Sequence, residues 1–272
     1  IDLVVEYLKP VNYFAIPMIL STTFQGIIRG DGNPRLVMVA MLVSSVMNVV
    51  LDYVFIFKFH LGIFGASLAT GIGTTIGLML MMLHFLLHRN TIFLVRHFWS
   101  LRLLRRLLKN GTGSLGIELS AGVVTYLFNF SLLRVAGSLA VSIYSVLSNL
   151  AAVAKGIFNS VAFAAQPLIS TNYGAYQIPR VAKSFRLALG TALAAGGVMM
   201  ALMFIFPEEL MSCFTRDNLQ LITEGAEAIR VYFSSLLFTA VNTIFIYFLQ
   251  SVERAVSATI IAILRGGVFV AL

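Results

Sequence analysis

Four charged side chains lie inside long apolar runs: Asp52, Glu118, Lys155 and Arg265. A charge carried into hydrocarbon is costly, and it is kept where it binds, pairs with or moves an ion. Glu118 sits about two turns into its run from the basic end, and Lys155 lies in the next, antiparallel run. At ~1.5 Å per residue both fall in the inner third of a bilayer. They can form an ion pair, or Glu118 can titrate near neutral pH as a buried proton carrier. Asp52 falls in the outer third of its run, where it either binds an ion or hydrogen-bonds a neighbouring helix. Arg265 falls near mid-membrane, where a carbonyl or carboxylate of its own half would hold it.

Neutral polar groups share these runs. Asn129, Asn149, Asn159, Gln166 and Asn242 offer side-chain amides that coordinate Na⁺, bond substrate or link helices. Asn129 and Asn149 are the best placed for a cavity. Tyr126, Tyr144, Phe128 and Phe158 offer aromatic faces to organic cations. His60, His84, His88 and His97 are scattered near the ends of the runs, and the sequence places no relay partner beside any of them.

Helices must position these groups. Hydrophobic residues make up 59% of the chain and charged residues 11%, against roughly 25% charged in a soluble domain. Eight apolar segments stand out: Val11–Ile28, Leu36–Phe57, Ile63–Leu87, Gly113–Arg134, Leu139–Pro167, Phe185–Phe206, Val231–Gln250 and Ala255–Leu272. Each approaches the ~20 residues that a membrane-spanning helix needs. They are continuously apolar, not alternating, which selects helices over a barrel. The expected fold is an all-α, polytopic membrane bundle. Leu272 ends inside an apolar run and the chain opens on Ile1 without a basic leader, so the sequence reads as part of a longer protein.

The loops set the orientation. The turn Arg29-Gly30-Asp31-Gly32-Asn33-Pro34-Arg35 separates the first two runs, with Gly30 and Gly32 free to take φ > 0 and Pro34 barring helix at Asn33. With this turn inside, twelve of the 19 Lys and Arg fall on the inner side, as the positive-inside rule requires. The net charge of +8 is therefore ascribed to cytoplasmic loops and not to nucleic-acid binding. Residues 88–112 form the longest connection. Their run Phe98–Lys109 has basic and apolar faces at helical spacing and is expected to lie on the inner membrane surface. A weak repeat at an offset near 221 residues relates Arg29–Arg35 to Gln250–Val256. Gly71, Gly73 and Gly77 in the third run allow close helix approach. The single Cys213 excludes an internal disulfide, no Cys/His cluster has metal-ligand spacing, and no nucleophile stands with a base. No cofactor, no resident metal and no enzymatic activity are expected.

Three stretches together carry a resemblance. They are Phe24-Gln25-Gly26-Ile27-Ile28-Arg29-Gly30-Asp31-Gly32-Asn33-Pro34-Arg35, then Asn48–Ile56 with Gly62–Thr70, and Gln166–Ala175. In this order and spacing they resemble the multidrug and toxic compound extrusion (MATE) transporters over nearly the whole chain, and the Glu118-Leu119-Ser120 pattern is similar to the MepA/DinF-like branch. The resemblance implies twelve helices in two pseudo-symmetric lobes. Residues 1–87 would hold helices four to six, residues 88–112 a basic linker, and residues 113–272 helices seven to eleven. Helices one to three and twelve would lie outside this stretch. It implies a monomeric bacterial plasma-membrane antiporter. Such a protein exports small, often cationic organic compounds in exchange for H⁺ or Na⁺ by alternating access. A flippase for lipid-linked saccharides shares the broader fold and is the alternative, and the stretch alone is not expected to transport. The family's coupling aspartate of helix one is outside the chain, and Val231–Leu249 lacks the carboxylate found in other members.

Overall fold

The computed structural model describes residues 2–88, 90–92, 100–215 and 218–263. Every regular element among them is helical, so the all-α reading stands. The chain divides into two compact units that meet in sequence at residues 98 and 99.

In the first unit, α1 (Asp2–Tyr13) and α2 (Ala15–Gly30) form a pair bent by 55°. The sequence suggested one span starting at Val11. Pro17 explains the bend: it has no N–H for the Tyr13 carbonyl, and its ring crowds that group. Helix α3 (Pro34–Asp52) continues into a π-helical turn over Tyr53–Lys58. Helix α4 (Gly62–Leu86) packs against α1, α2 and α3.

Small residues make those contacts possible. A methyl group added at Gly71 would lie 2.3 Å from the Phe14 ring, so the side chain at the α1–α2 bend rests on bare α4 backbone. One added at Gly73 would lie 2.8 Å from the Ser44 carbonyl oxygen, and one at Gly77 would lie 3.0 Å from Ser44 Cβ. Helices α3 and α4 therefore approach backbone to backbone, the close packing that small residues permit where lipid gives no hydrophobic drive.

The turn between α2 and α3 uses only one of its two glycines for special geometry. Gly32 takes φ 82°, while Gly30 closes α2 as an ordinary helical residue. The Asn33 N–H donates to Ile28 O at 3.1 Å, which makes this a Schellman-type helix end. The same closure recurs where Gln177 N donates to Asn172 O at 2.8 Å, with Tyr176 at φ 56°. It recurs again where Arg254 N donates to Leu249 O at 2.8 Å, with Glu253 at φ 61°. The first and third lie at the repeat offset read from the sequence. Only the first has glycine at the left-handed position.

In the second unit, α5 (Leu101–Gly174) is interrupted at Gly137, whose φ 73° and ψ −165° lie outside the helical region. Helix α6 (Ile178–Ile205) follows, then the short α7 (Pro207–Ser212). Helices α8 (Leu219–Phe233) and α9 (Leu236–Ser251) are bent by 44°, and α10 (Ala255–Ile263) ends the described chain. The core gathers around Phe158, Ile229, Phe233 and Met211, all 0–1% exposed.

Four helices are long and apolar enough to span: Pro34–Lys58, Gly62–Leu86, Leu139–Gly174 and Ile178–Ile205. The two bent pairs bring the number to six. The Gly113–Arg134 run lies in the first section of α5, and Ala255–Leu272 is described only to Ile263. Outward-facing Ile16, Leu42, Val49 and Phe238 are 58–74% exposed. Such apolar surface is unusual for a soluble monomer and fits lipid contact.

The amphipathic stretch differs from its expected form. From Leu101 it is helical, and no loop separates it from the Gly113–Arg134 run. Its Arg106 pairs with Glu253 in the turn after α9.

Candidate ion and substrate site

A polar constellation with an unsatisfied carboxylate stands where α3 meets α4. Asn48 and Asp52 are one turn apart on α3 and so share a face. The Asn48 amide donates to Thr70 Oγ1 on α4 at 3.2 Å, and the Thr70 hydroxyl donates to Ala66 O at 3.1 Å. With its nitrogen committed to Thr70, Asn48 has its carbonyl oxygen left to offer. Asp52 is half-buried, and its Oδ1 is shielded from solvent with no hydrogen-bond partner. A buried oxygen of this kind is costly unless a proton or cation sits on it. The chain widens into the π turn at Tyr53, directly after Asp52. Such widening re-aims side chains and is frequent at functional sites.

One turn further along both helices lies a cavity of about 140 Å³. Ser44, Ser45 and Met41 line it from α3, Thr74 and Met81 from α4, and Ser21 and Gln25 from α2. Gln25 donates to Ser21 Oγ at 3.5 Å and accepts from Arg29 Nη2 at 3.4 Å. At ~30 Å³ per water the space holds a few solvent molecules. Methionine beside hydroxyls and an amide gives an adaptable, amphipathic lining.

A second polar cluster ties down the α2–α3 turn. Asn33 Oδ1 accepts from Leu36 N at 3.2 Å and caps α3, while Asn33 Nδ2 meets His84 Nδ1 at 3.3 Å. His84 Nε2 meets Asp31 Oδ2 at 2.7 Å. Asp31 also accepts from the Thr91 N–H at 3.1 Å and from the Thr91 hydroxyl. The His84 and Asp31 side chains are 1% and 0% exposed. The bonds from Thr91 and from His84 hold the Asp31 carboxyl below the ordinary carboxylate range, against an opposing effect of burial.

The other sequence candidates do not converge. Asn129 turns back to Thr125 O of its own helix at 2.9 Å. Asn149 is exposed on α5 and Asn242 half-buried on α9. Tyr144 stacks on Phe128 with ring centroids 5.1 Å apart, across the Gly137 break, whereas Tyr126 is 70% exposed. Phe158 belongs to the core and presents no face to a cavity. Lys155 is exposed on α5 and engaged in an interaction. The Glu118 side chain and all of Arg265 lie outside the described residues. Among the described residues no three His, Cys, Asp or Glu stand close enough to hold a metal.

Sequence reasoning named Asp52 but missed Asn48 and Thr70. The signal was present: Asn48 and Asp52 are four residues apart in a run, both polar. It also left His84 without a partner, because Asp31 and Asn33 are 53 and 51 residues away in the chain.

The fold and site define a helical membrane bundle that carries an unsatisfied carboxylate and a polar cavity between its spans. The MatE family model matches residues 1–54 and 119–271, more than half of the chain, and the chain belongs to that family. Its members are membrane transporters rather than enzymes. Two multidrug export proteins called MepA are similar to it. The one from Staphylococcus saprophyticus is 26% identical over 97% of this chain and 58% of its own length. The one from Staphylococcus aureus strain NCTC 8325 has the same identity and the same coverage. The chain thus spans under two thirds of these relatives.

Among solved structures, an outward-facing multidrug resistance MATE family transporter of the MOP superfamily superposes with a TM-score of 0.91. It is 21% identical over 97% of this chain and 60% of its own. A MOP superfamily transporter from Pyrococcus furiosus gives 0.89 at 20% identity, over 96% of this chain and 59% of its own. At these identities the superpositions speak for the fold. The protein is a multi-pass protein of the bacterial plasma membrane and sits in a lipid bilayer.

Proposed function

We propose that the intact protein is a secondary active exporter of small organic, often cationic compounds, driven by inward H⁺ or Na⁺ through alternating access. The observation that carries this reading is Asp52 Oδ1, buried without a partner beside the Asn48–Thr70 bond. A proton or Na⁺ would sit on Asp52, with the Asn48 carbonyl and Thr70 hydroxyl as neutral oxygen ligands. The cavity one turn away would take part of an amphipathic substrate against Met41, Ser45, Thr74 and Gln25. Ion and substrate would then share one helix pair, so loading one alters the packing that receives the other. This gives exchange a physical basis.

Family membership and the likeness to multidrug export proteins support the substrate class. We assign residues 1–87 to the first lobe and 113–272 to the second, with the Arg29–Arg35 turn in the cytoplasm. In this assignment Glu118 and Lys155 serve the second lobe.

The test is ethidium efflux from proteoliposomes bearing the full-length protein. Export should collapse when the proton or sodium gradient is dissipated. Efflux that persists without either gradient would refute the antiport reading.

A further inference from the structure

The second polar cluster has a handed arrangement of donors and acceptors, and this decides where the imidazole carries its proton. Asn33 Oδ1 accepts the Leu36 N–H as the cap of α3. That bond fixes the amide so that Nδ2, a donor, faces His84 Nδ1. His84 Nδ1 must therefore accept, and the single ring proton sits on Nε2 and is donated to Asp31 Oδ2. A second proton would have to be placed on Nδ1, against the Asn33 NH₂. Two donors would then face each other. Either His84 parts from Asn33, or the amide turns over and surrenders the α3 cap.

We propose that His84 and Asp31 are positioning residues that lock the start of α3, through Asn33, to the end of α4 while His84 is neutral, and that protonation of His84 releases the Asn33 side of the lock while its bond to Asp31 is kept. The consequence reaches the transport site because the locked helices are the two that carry Asn48, Asp52 and Thr70. The lock also holds Thr91, beyond the end of α4, through three bonds to Asp31. Among the described residues, the charged and titratable groups near the turn on α2, α3 and the end of α4 are Asp31, Arg29, Arg35 and His88. Asp31 lies in the turn itself. Arg29 on α2 directs its guanidinium to Gln25 and the Met41 sulfur. Arg35 opens α3, and His88 follows α4. The Phe85 ring stands edge-on to the His84 ring, at 5.4 Å between centroids. A second ring proton has only the Asn33 side to occupy, so the lock is set to respond to acidification of the side on which the turn lies.

The link to transport rests on the exporter reading, but the lock itself does not. The test is hydrogen–deuterium exchange of the full-length protein in nanodiscs, corrected for intrinsic rates, between pH 8 and pH 5.5. Amides in the first turn of α3 should exchange about fivefold faster at the acid end, the scale of a lost N-cap. In His84→Gln, which offers a donor and an acceptor but does not titrate, the rates should be equal at both pH values. Asp52→Asn should keep the wild-type acid response, so failure of the exporter reading leaves this result untouched. Equal exchange at both pH values in the wild type, or an acid response surviving in His84→Gln, would overturn the proposal. In transport, the wild type should show an acid inflection, and His84→Gln should keep neutral-pH efflux and lose that inflection. An unaltered inflection would show that the lock does not position the site.

Discussion

Asp31 lies in the turn that leads into α3 and Asp52 at the end of the same helix, and they differ in almost everything else. Asp31 is fully enclosed, and its oxygens accept from His84 and from the backbone and hydroxyl of Thr91. Asp52 is half-buried and leaves one oxygen with nothing. A carboxylate with every lone pair used is part of the architecture, because binding anything new means giving up a bond already made. A carboxylate with a shielded, unused oxygen keeps its capacity for a proton or cation. Hydrogen-bond completeness, more than burial or sequence position, separates the two carboxylates and is the ground for the different roles proposed for them.

The contrast is broken most severely at Asp52. Asp52→Asn should reduce gradient-driven export to background while leaving the thermal midpoint equal or higher, since the substitution removes a carboxylate that lacks a partner. Asp31→Asn should do the reverse. It should lower the midpoint and leave measurable export at neutral pH, as shown by fluorescence-detected thermal shift alongside efflux.

Acid sharpens the same comparison. The folded-state pKa of Asp31 lies below its unfolded value, so its contribution is complete above ~3.9. It is lost as pH falls through the lower, folded value. A pH titration of the wild-type midpoint should therefore show an acid limb below about pH 4 that Asp31→Asn lacks.

Substitutions around Asp52 should have smaller effects. Thr70→Val removes the acceptor for Asn48 and should cost ~0.6 kcal/mol of stability, as typical interhelical bonds do. It should weaken ion dependence more than maximal rate, and a shift in the half-saturating ion concentration checks this. The smallest effect belongs to the pair Arg106–Glu253, whose side chains are 61% and 58% exposed. Arg106→Gln should change the midpoint by less than the equivalent of ~1 kcal/mol.

Much of the fold was legible because lipid imposes a simple rule. Every spanning backbone group must be bonded within its helix, so apolar run length reports helix existence. Gly71, Gly73 and Gly77 were readable for the same reason: a helix face without side chains is useful chiefly for close approach. The bend at Phe14 was less visible because apolar length says nothing about direction, although Pro17 marked it. The break at Gly137 was hidden in a stretch where glycine also serves packing.

The site was harder to read. Asp52 was identifiable by its cost in hydrocarbon, but its partners were ranked by polarity alone. That drew attention to Asn129, which bonds its own helix, and to Asn149, which is exposed. Thr70 becomes meaningful only when α3 and α4 are placed side by side. The His84 cluster joins positions some fifty residues apart through a turn whose glycines drew notice and whose Asp31 and Asn33 did not.

The central claim is that Asp52 carries the coupling ion. Its most direct test is proton or Na⁺ uptake measured alongside ethidium efflux in the same proteoliposomes, wild type against Asp52→Asn. The account predicts ion uptake that accompanies efflux in the wild type, with both lost in the variant. Ion-coupled efflux at the wild-type rate in Asp52→Asn would contradict it.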